Sequence, residues 1–131
     1  MNYLLDTGVW LWSLWAPERI SDKALAEIRD PSNEVFLSAV TAWEIAIKAA
    51  SGKLRLPEAP GAYVPRRMAD QGLRPLPILH SHALAVFDLP DHHRDPFDRL
   101  LIAQTKLEGL VLVTADRIVE KYPVDVLRAG R

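Results

Sequence analysis

The chain has 131 residues, 49% of them hydrophobic and 25% charged, with a formal net charge of −1. That length points to one domain over 1–131, and the apolar share supplies a packed core and excludes a disordered chain. Near-neutral charge disfavours an autonomous duplex-DNA binder, and the absence of cysteine excludes disulfides and thiolate metal sites and fits a cytoplasmic location.

The amino-terminal stretch MNYLLDTGVWLWSLWAPER lacks a basic leader and a small-residue cleavage site, so it reads as buried structure and not as a signal peptide. No apolar run is long enough to span a bilayer. A strand is expected over 2–6, then a helix over 7–15 that stops before Pro17. A second helix is expected over 21–29 with Ser21 as its N-cap, and a turn at Pro31-Ser32-Asn33 leads into a strand over 34–38. A helix over 41–50 ends before Gly52. Prolines at 57, 60 and 65 make the next stretch irregular until a helix over 65–71, which Gly72 terminates. A short strand over 74–78, a helix over 81–88 and a polar loop over 90–94 follow. The helix over 96–108 is the most sharply bounded, with Asp95 as N-cap, Pro96 in the first helical position and Gly109 as the stop. The strand LVLVT at 110–114, a short helix over 115–121 and a strand over 124–127 complete the chain.

Strands alternating with helices predict an α/β fold with a mostly parallel sheet covered on both faces. In such sheets function gathers beyond the carboxyl ends of the strands. Asp6 ends the first strand, Asp116 lies just past LVLVT, and Glu44 is expected in the first turn of the helix after EVFLS. Asp98 opens the helix that runs back to LVLVT, which returns it to the same edge. Four carboxylates at one place raise each other's pKa, and a hard divalent cation such as Mg²⁺ relieves that repulsion. A pair of such ions would clamp both oxygens of a phosphodiester displacement.

Each acid also has a purely structural reading. Thr41-x-x-Glu44 is a capping-box pattern, Asp98 complements a helix dipole, Asp6 is an N-cap and Asp116 a turn residue. Arg94, Arg99 and Lys48 sit where phosphate contacts would fall, although a solvated or salt-bridged face explains them as well. Trp10, Trp12, Trp15 and Trp43 read as core or dimer contacts more than as base-stacking platforms, and Arg66 and Arg67 as surface residues. His80, His82, His92 and His93 lack zinc-site spacing and are set aside as metal ligands.

The stretches LLDTGVWLW (4–12), SAVTAWEIAIKAASGKLRLP (38–57), LPDHHRDPFDRLLIAQ (89–104) and LVTAD (112–116) resemble the PIN-domain ribonucleases, and within them the VapC-type toxins of bacterial toxin–antitoxin pairs. The resemblance covers nearly the whole chain. It implies a three-layer α/β/α fold and metal-dependent endonucleolytic cleavage of RNA, with Mg²⁺ as cofactor and Mn²⁺ as a substitute. Asp6, Glu44, Asp98 and Asp116 fall on the family's acidic positions, Asp6 and Asp98 on those assigned as direct metal ligands. Thr114 falls on a hydroxyl position beside the site. Asp95 is first an N-cap and then a residue behind the ligands. A VapB-type antitoxin that occludes the site and a homodimer are also implied. Gly8 departs from the His or Asn common after Asp-Thr, and Trp10 replaces a more usual aliphatic.

Other classes fit less well. A receiver domain needs an acidic pair after the first strand and a lysine after the last, whereas Asp6 is followed by Thr7-Gly8 and the last strand by Arg128. An Asp-nucleophile phosphatase needs Asp-x-Asp, and Gly8 stands in the second place. A catalytically inactive scaffold would have no need of four retained acids.

Overall fold

The structure, a computed structural model, describes residues 1–131. Five strands, β1 (Asn2–Leu5), β2 (Glu34–Ser38), β3 (Arg74–Leu76), β4 (Val111–Thr114) and β5 (Asp125–Arg128), form one sheet in the order β3-β2-β1-β4-β5. Every neighbouring pair is parallel. The helices are α1 (Thr7–Trp15), α2 (Asp22–Arg29), α3 (Ala39–Ala50), α4 (Pro60–Gln71), α5 (His80–Ala85) and α6 (Pro96–Glu108).

Alternation along the strands builds two cores. Tyr3, Leu5, Val35, Leu37 and Val113 pack with Val9 and Trp10 of α1, Ala24 of α2, Ile45 of α3 and Val64 of α4. Leu4 and Leu112 face the other way, against Leu101 and Ile102 of α6, with Val119 and Tyr122. Both faces of the sheet are thus apolar and covered, which is the three-layer α/β/α arrangement expected of a parallel sheet. The chain fills the sheet outward from β1 in one direction, then returns to β4 on its other side. The order therefore reverses between β1 and β4, and the crevice at their carboxyl ends is the topological switch point. No helix is long and apolar enough to cross a membrane.

Several boundaries differ from the sequence reading for local reasons. α3 begins at Ala39 because the Ser38 hydroxyl caps it, accepting from the Val40 amide; Thr41 is therefore inside the helix, and Glu44 lies beyond its first turn rather than in a capping box. α4 begins at Pro60, a residue suited to the first helical position, where an amide hydrogen is not needed. Pro65 is tolerated inside it because the carbonyl it leaves without a partner belongs to exposed Gly61. The expected helix over 115–121 does not form. Asp116 Oδ1 accepts from the Ile118 amide in a tight turn, and a single 3₁₀ turn, Val119–Lys121, remains. The helix expected over 81–88 is shorter, His80–Ala85, and tightens into a 3₁₀ turn at Val86–Asp88.

Candidate metal centre

Three helix N-termini open at the carboxyl edge, and each brings an acid. Asp6 caps α1: its Oδ1 accepts from the Gly8 amide at 2.7 Å and the Val9 amide at 3.3 Å. Asp95 caps α6, its Oδ1 accepting from Phe97 at 2.8 Å and from Asp98 at 3.3 Å. Asp98 follows in the first turn of that helix, whose positive end favours a carboxylate. Glu44 is buried on α3, one turn after Thr41, whose hydroxyl meets that of Thr7 at 2.9 Å and ties the starts of α3 and α1 together.

Thr114 links the ends of the two central strands. Its Oγ1 donates to Asp6 Oδ2 at 2.6 Å and accepts from the Asp116 amide at 3.1 Å. Asp116 in turn meets His93 Nε2 through Oδ2 at 2.8 Å, and the same nitrogen lies 3.1 Å from Asp98 Oδ2. Asp6, Thr114, Asp116, His93 and Asp98 thus form one continuous chain of contacts around the switch point. Glu44 closes it electrostatically, since its charge raises the pKa of both Asp6 and Asp98.

The two acids at the centre are held away from their ordinary ionisation. Burial pushes Asp6 up, opposed by the hydrogen bonds from Thr114, Val9 and Gly8. Burial, then the charges of Asp95 and Asp6, push Asp98 up to about 7, while His93 pulls it down. Lys48 is raised by its hydrogen bond to Glu44 Oε2, so one oxygen of Glu44 is paired within the helix. The other, Oε1, is buried with no hydrogen-bond partner.

These features fit a divalent cation. A buried carboxylate oxygen without a partner, two neighbouring acids resisting ionisation and donors that are nearly all oxygen make a site that a hard cation completes. Asp98 Oδ2 and Asp116 Oδ2 also lie close together, both within 3.1 Å of His93 Nε2. A cavity of about 540 Å³, lined by residues such as Ser13, Ile28, Asn33 and Gln71, lies at the opposite, amino edge of the sheet. None of the four carboxylates lines it.

Asp6, Asp98 and Asp116 are linked at this edge through Thr114 and His93, and Glu44 acts on Asp6 and Asp98 through its charge alone. Asp95 is the N-cap it was expected to be. Arg99 lies beside Asp98, but its guanidinium donates to the carbonyls of Pro90 and Val86 and to the Tyr122 hydroxyl, clamping the 90–94 loop instead of facing a phosphate. Lys48 is committed to Glu44. Trp10 is fully buried, as a core residue, whereas Trp43 is half-exposed and packs edge-on against Phe97, with ring centres 4.8 Å apart.

The residue that sequence reasoning set aside is His93. Zinc-site spacing was the wrong test for it, because a single ring nitrogen reaches Asp116 and Asp98 together, and from a loop. That loop has no regular structure, but the Tyr122 hydroxyl accepts from the amides of both His92 and His93 at 3.1 and 2.7 Å. The available signal was its place two residues before the Asp95 cap: the Asp95 amide donates to His93 Nδ1 at 3.1 Å, and this local bond aims the ring.

Residues 3–124 match the PIN domain family, and the chain belongs to it. Among individual proteins, it is 47% identical over 57 residues to Ribonuclease VapC16 of Mycobacterium tuberculosis. The aligned stretch spans 44% of this chain and 40% of that protein's length. The fold matches a chain of the VapBC2 structure from Rickettsia felis, bound to a DNA fragment from their promoter, with a TM-score of 0.74, 14% identity and 98% of both chains covered. It also matches a chain of the DNA-bound VapBC of Salmonella typhimurium, with a TM-score of 0.68, 19% identity and 98% of both chains covered. At those identities the likeness is one of fold.

Proposed function

We propose that this chain is a Mg²⁺-dependent endoribonuclease, the toxin of a toxin–antitoxin pair, acting on single-stranded RNA in the cytoplasm. The observation that carries the reading is the convergence of Asp6, Glu44, Asp98 and Asp116 at the β1/β4 switch point, with Glu44 Oε1 buried and unpaired. Asp6 and Asp98 would hold the metal directly. Glu44 would complete the cluster through Oε1, and Asp116 would hold the ion's waters. When bound, Mg²⁺ supplies a Lewis acid that offsets charge on the phosphodiester and makes water acidic enough to attack it. Mn²⁺ would substitute, being an oxygen-preferring ion as well.

The protein's own part is positioning. Asp6 cannot rotate freely, because one oxygen is spent on the α1 amides and the other on Thr114. Asp116 Oδ1 is spent on the Ile118 amide. The family membership and the partial identity to a ribonuclease support RNA as substrate. Fold likeness to chains from VapBC complexes supports a VapB-type antitoxin as partner, and a homodimer is proposed with it. An arginine from the antitoxin would neutralise the same carboxylates.

The test is growth on induction of wild type against Asp98→Asn, followed by cleavage of purified RNA. Wild type should arrest growth, cleave in Mg²⁺ and stop in EDTA, and the variant should do none of this. Co-expression of a cognate VapB-type antitoxin should restore growth. Undiminished cleavage by Asp6→Asn in saturating Mg²⁺ would overturn the reading.

A further inference from the structure

His93 has both ring nitrogens occupied, and the occupants dictate which one carries hydrogen. The Asp95 amide donates to Nδ1 at 3.1 Å, so Nδ1 must present a lone pair. Nε2 is then the N–H; it donates to Asp116 Oδ2 (2.8 Å), and Asp98 Oδ2 stands 3.1 Å from the same nitrogen. The ring is not free to turn. Its side chain is only 14% exposed, its own amide is bound to the Tyr122 hydroxyl, and Arg99 pins the surrounding loop through the Pro90 carbonyl at 2.9 Å.

A nitrogen that keeps its hydrogen does not ligate a metal, so Nε2 is a donor to Asp116 and not a member of the acids' ligand set. Resting on the metal-dependent reading above, we propose that His93 is a positioning residue. It anchors Asp116 through a hydrogen bond and sets its ring against one oxygen of Asp98, leaving the other Asp98 oxygen to face the cation. Because the Asp95 amide holds the ring in this tautomer, the site also stays an oxygen site, suited to hard ions over those that favour imidazole. The Asp95-Pro-Phe-Asp98 turn therefore does two things: its side-chain oxygen caps α6, and its amide sets the chemistry of His93.

Two substitutions separate the halves of this arrangement. His93→Gln places an amide N–H near the position of Nε2 but gives up the Asp95 contact. His93→Asn keeps an acceptor for the Asp95 amide but does not reach the carboxylates. Binding of Mn²⁺ and of Zn²⁺ is measured for wild type and both variants, Mn²⁺ by its electron paramagnetic resonance and Zn²⁺ by competition, with thermal melts alongside. The expected result is a loss of Mn²⁺ affinity of about 10- to 100-fold in His93→Asn, the range found for hydrogen-bond partners of metal ligands. Zn²⁺ should weaken by a similar factor, and His93→Gln should stay close to wild type for both ions. The proposal is overturned if His93→Asn binds Mn²⁺ as wild type does. It is equally overturned if His93→Gln fails to restore binding and Zn²⁺ suffers far more than Mn²⁺, which is the pattern of a direct ligand. Should His93→Asn not fold, His93→Gln decides alone by the same Mn²⁺-to-Zn²⁺ comparison. Absence of saturable Mn²⁺ binding by wild type would instead sink the metal-dependent function itself.

Discussion

His82 and His93 are built alike and placed in opposite company. In each, Nδ1 accepts a backbone amide, from Leu79 at 3.0 Å and from Asp95 at 3.1 Å. In each, Nε2 meets a carboxylate at 2.8 Å, Glu108 for His82 and Asp116 for His93. Around His82 everything is paired. Gln104 accepts from the Ser38 hydroxyl at 2.6 Å and donates to the Pro77 carbonyl at 3.1 Å, and Ser38 in turn caps α3. Around His93 there are more acids than donors, Glu44 Oε1 is left over, and Asp98 resists ionisation. A buried polar cluster that closes on itself holds the fold together, whereas one with acceptors to spare asks for a cation from outside.

That contrast is most open to attack at the centre of the acidic cluster. Asp6→Asn keeps an oxygen for capping α1, and Asp98→Asn keeps the size of the side chain. Either should lower RNA cleavage on the order of 10³-fold, since charge on the ligand and not packing is removed. Rates in excess Mg²⁺ check this, and near-wild-type cleavage by both would break the division. The closed cluster should answer in stability instead. Gln104→Ala strands the buried Ser38 hydroxyl and leaves a cavity where the Gln104 side chain was, at a cost of about 2–4 kcal/mol. Urea melts read that loss. Mn²⁺ affinity in the folded fraction should not change; if it falls, the two clusters are one unit.

A smaller effect separates them by pH. Asp98 has its pKa raised from the ordinary 3.8 to about 7. A raised folded-state pKa means that its contribution to stability is complete below the ordinary value and is lost as pH climbs through about 7. The metal-free protein should therefore weaken across that window, Asp6 acting in the same direction. Asp98→Asn should flatten the dependence. Near pH 8 it should be more stable than wild type by about 1–2 kcal/mol, the full shift being reduced because the side chain is 24% exposed. Melting temperatures in EDTA at several pH values test this. A steeper profile in the variant would assign the strain elsewhere. Metal affinity should fall as pH drops below about 7, because the proton and the cation compete for one carboxylate.

The capping residues were legible in the sequence because capping is local. Asp95-Pro96 and Asp6-Thr7 announce helix starts within a few residues, and a parallel sheet carries those starts to one edge. Glu44, expected in the first turn of its helix, lies beyond it because Ser38 caps the helix three residues earlier than Thr41 would have. His93 could not be reached this way. Its position depends on Tyr122 and Arg99, which are distant in sequence from the loop or point away from the acids, and no periodicity encodes such a loop. The missing helix at 115–121 has a similar cause: a side chain, Asp116, captured the backbone amide that a helix would have needed.

Gly8 gives the finest separation. It sits in the first turn of α1, exposed, where the family resemblance would place His or Asn, and a Cβ added there would meet Asp6 Oδ1 at 3.4 Å, an ordinary contact. Gly8→Ala should stabilise α1 by up to about 0.5–1 kcal/mol through reduced freedom of the unfolded chain. The amide bonds from Gly8 and Val9 to Asp6 would persist, because the methyl does not oppose them. What the methyl removes is water from Oδ1, and that moves the Asp6 carboxyl further in the direction burial already drives it. Cleavage should then fall by less than about tenfold, and the deficit should shrink as rising pH favours the Asp6 carboxylate. A deficit unchanged across pH would mean that the methyl obstructs the RNA itself. Gly8 would then be open ground for substrate, and the charge of Asp6 would not be what the glycine protects.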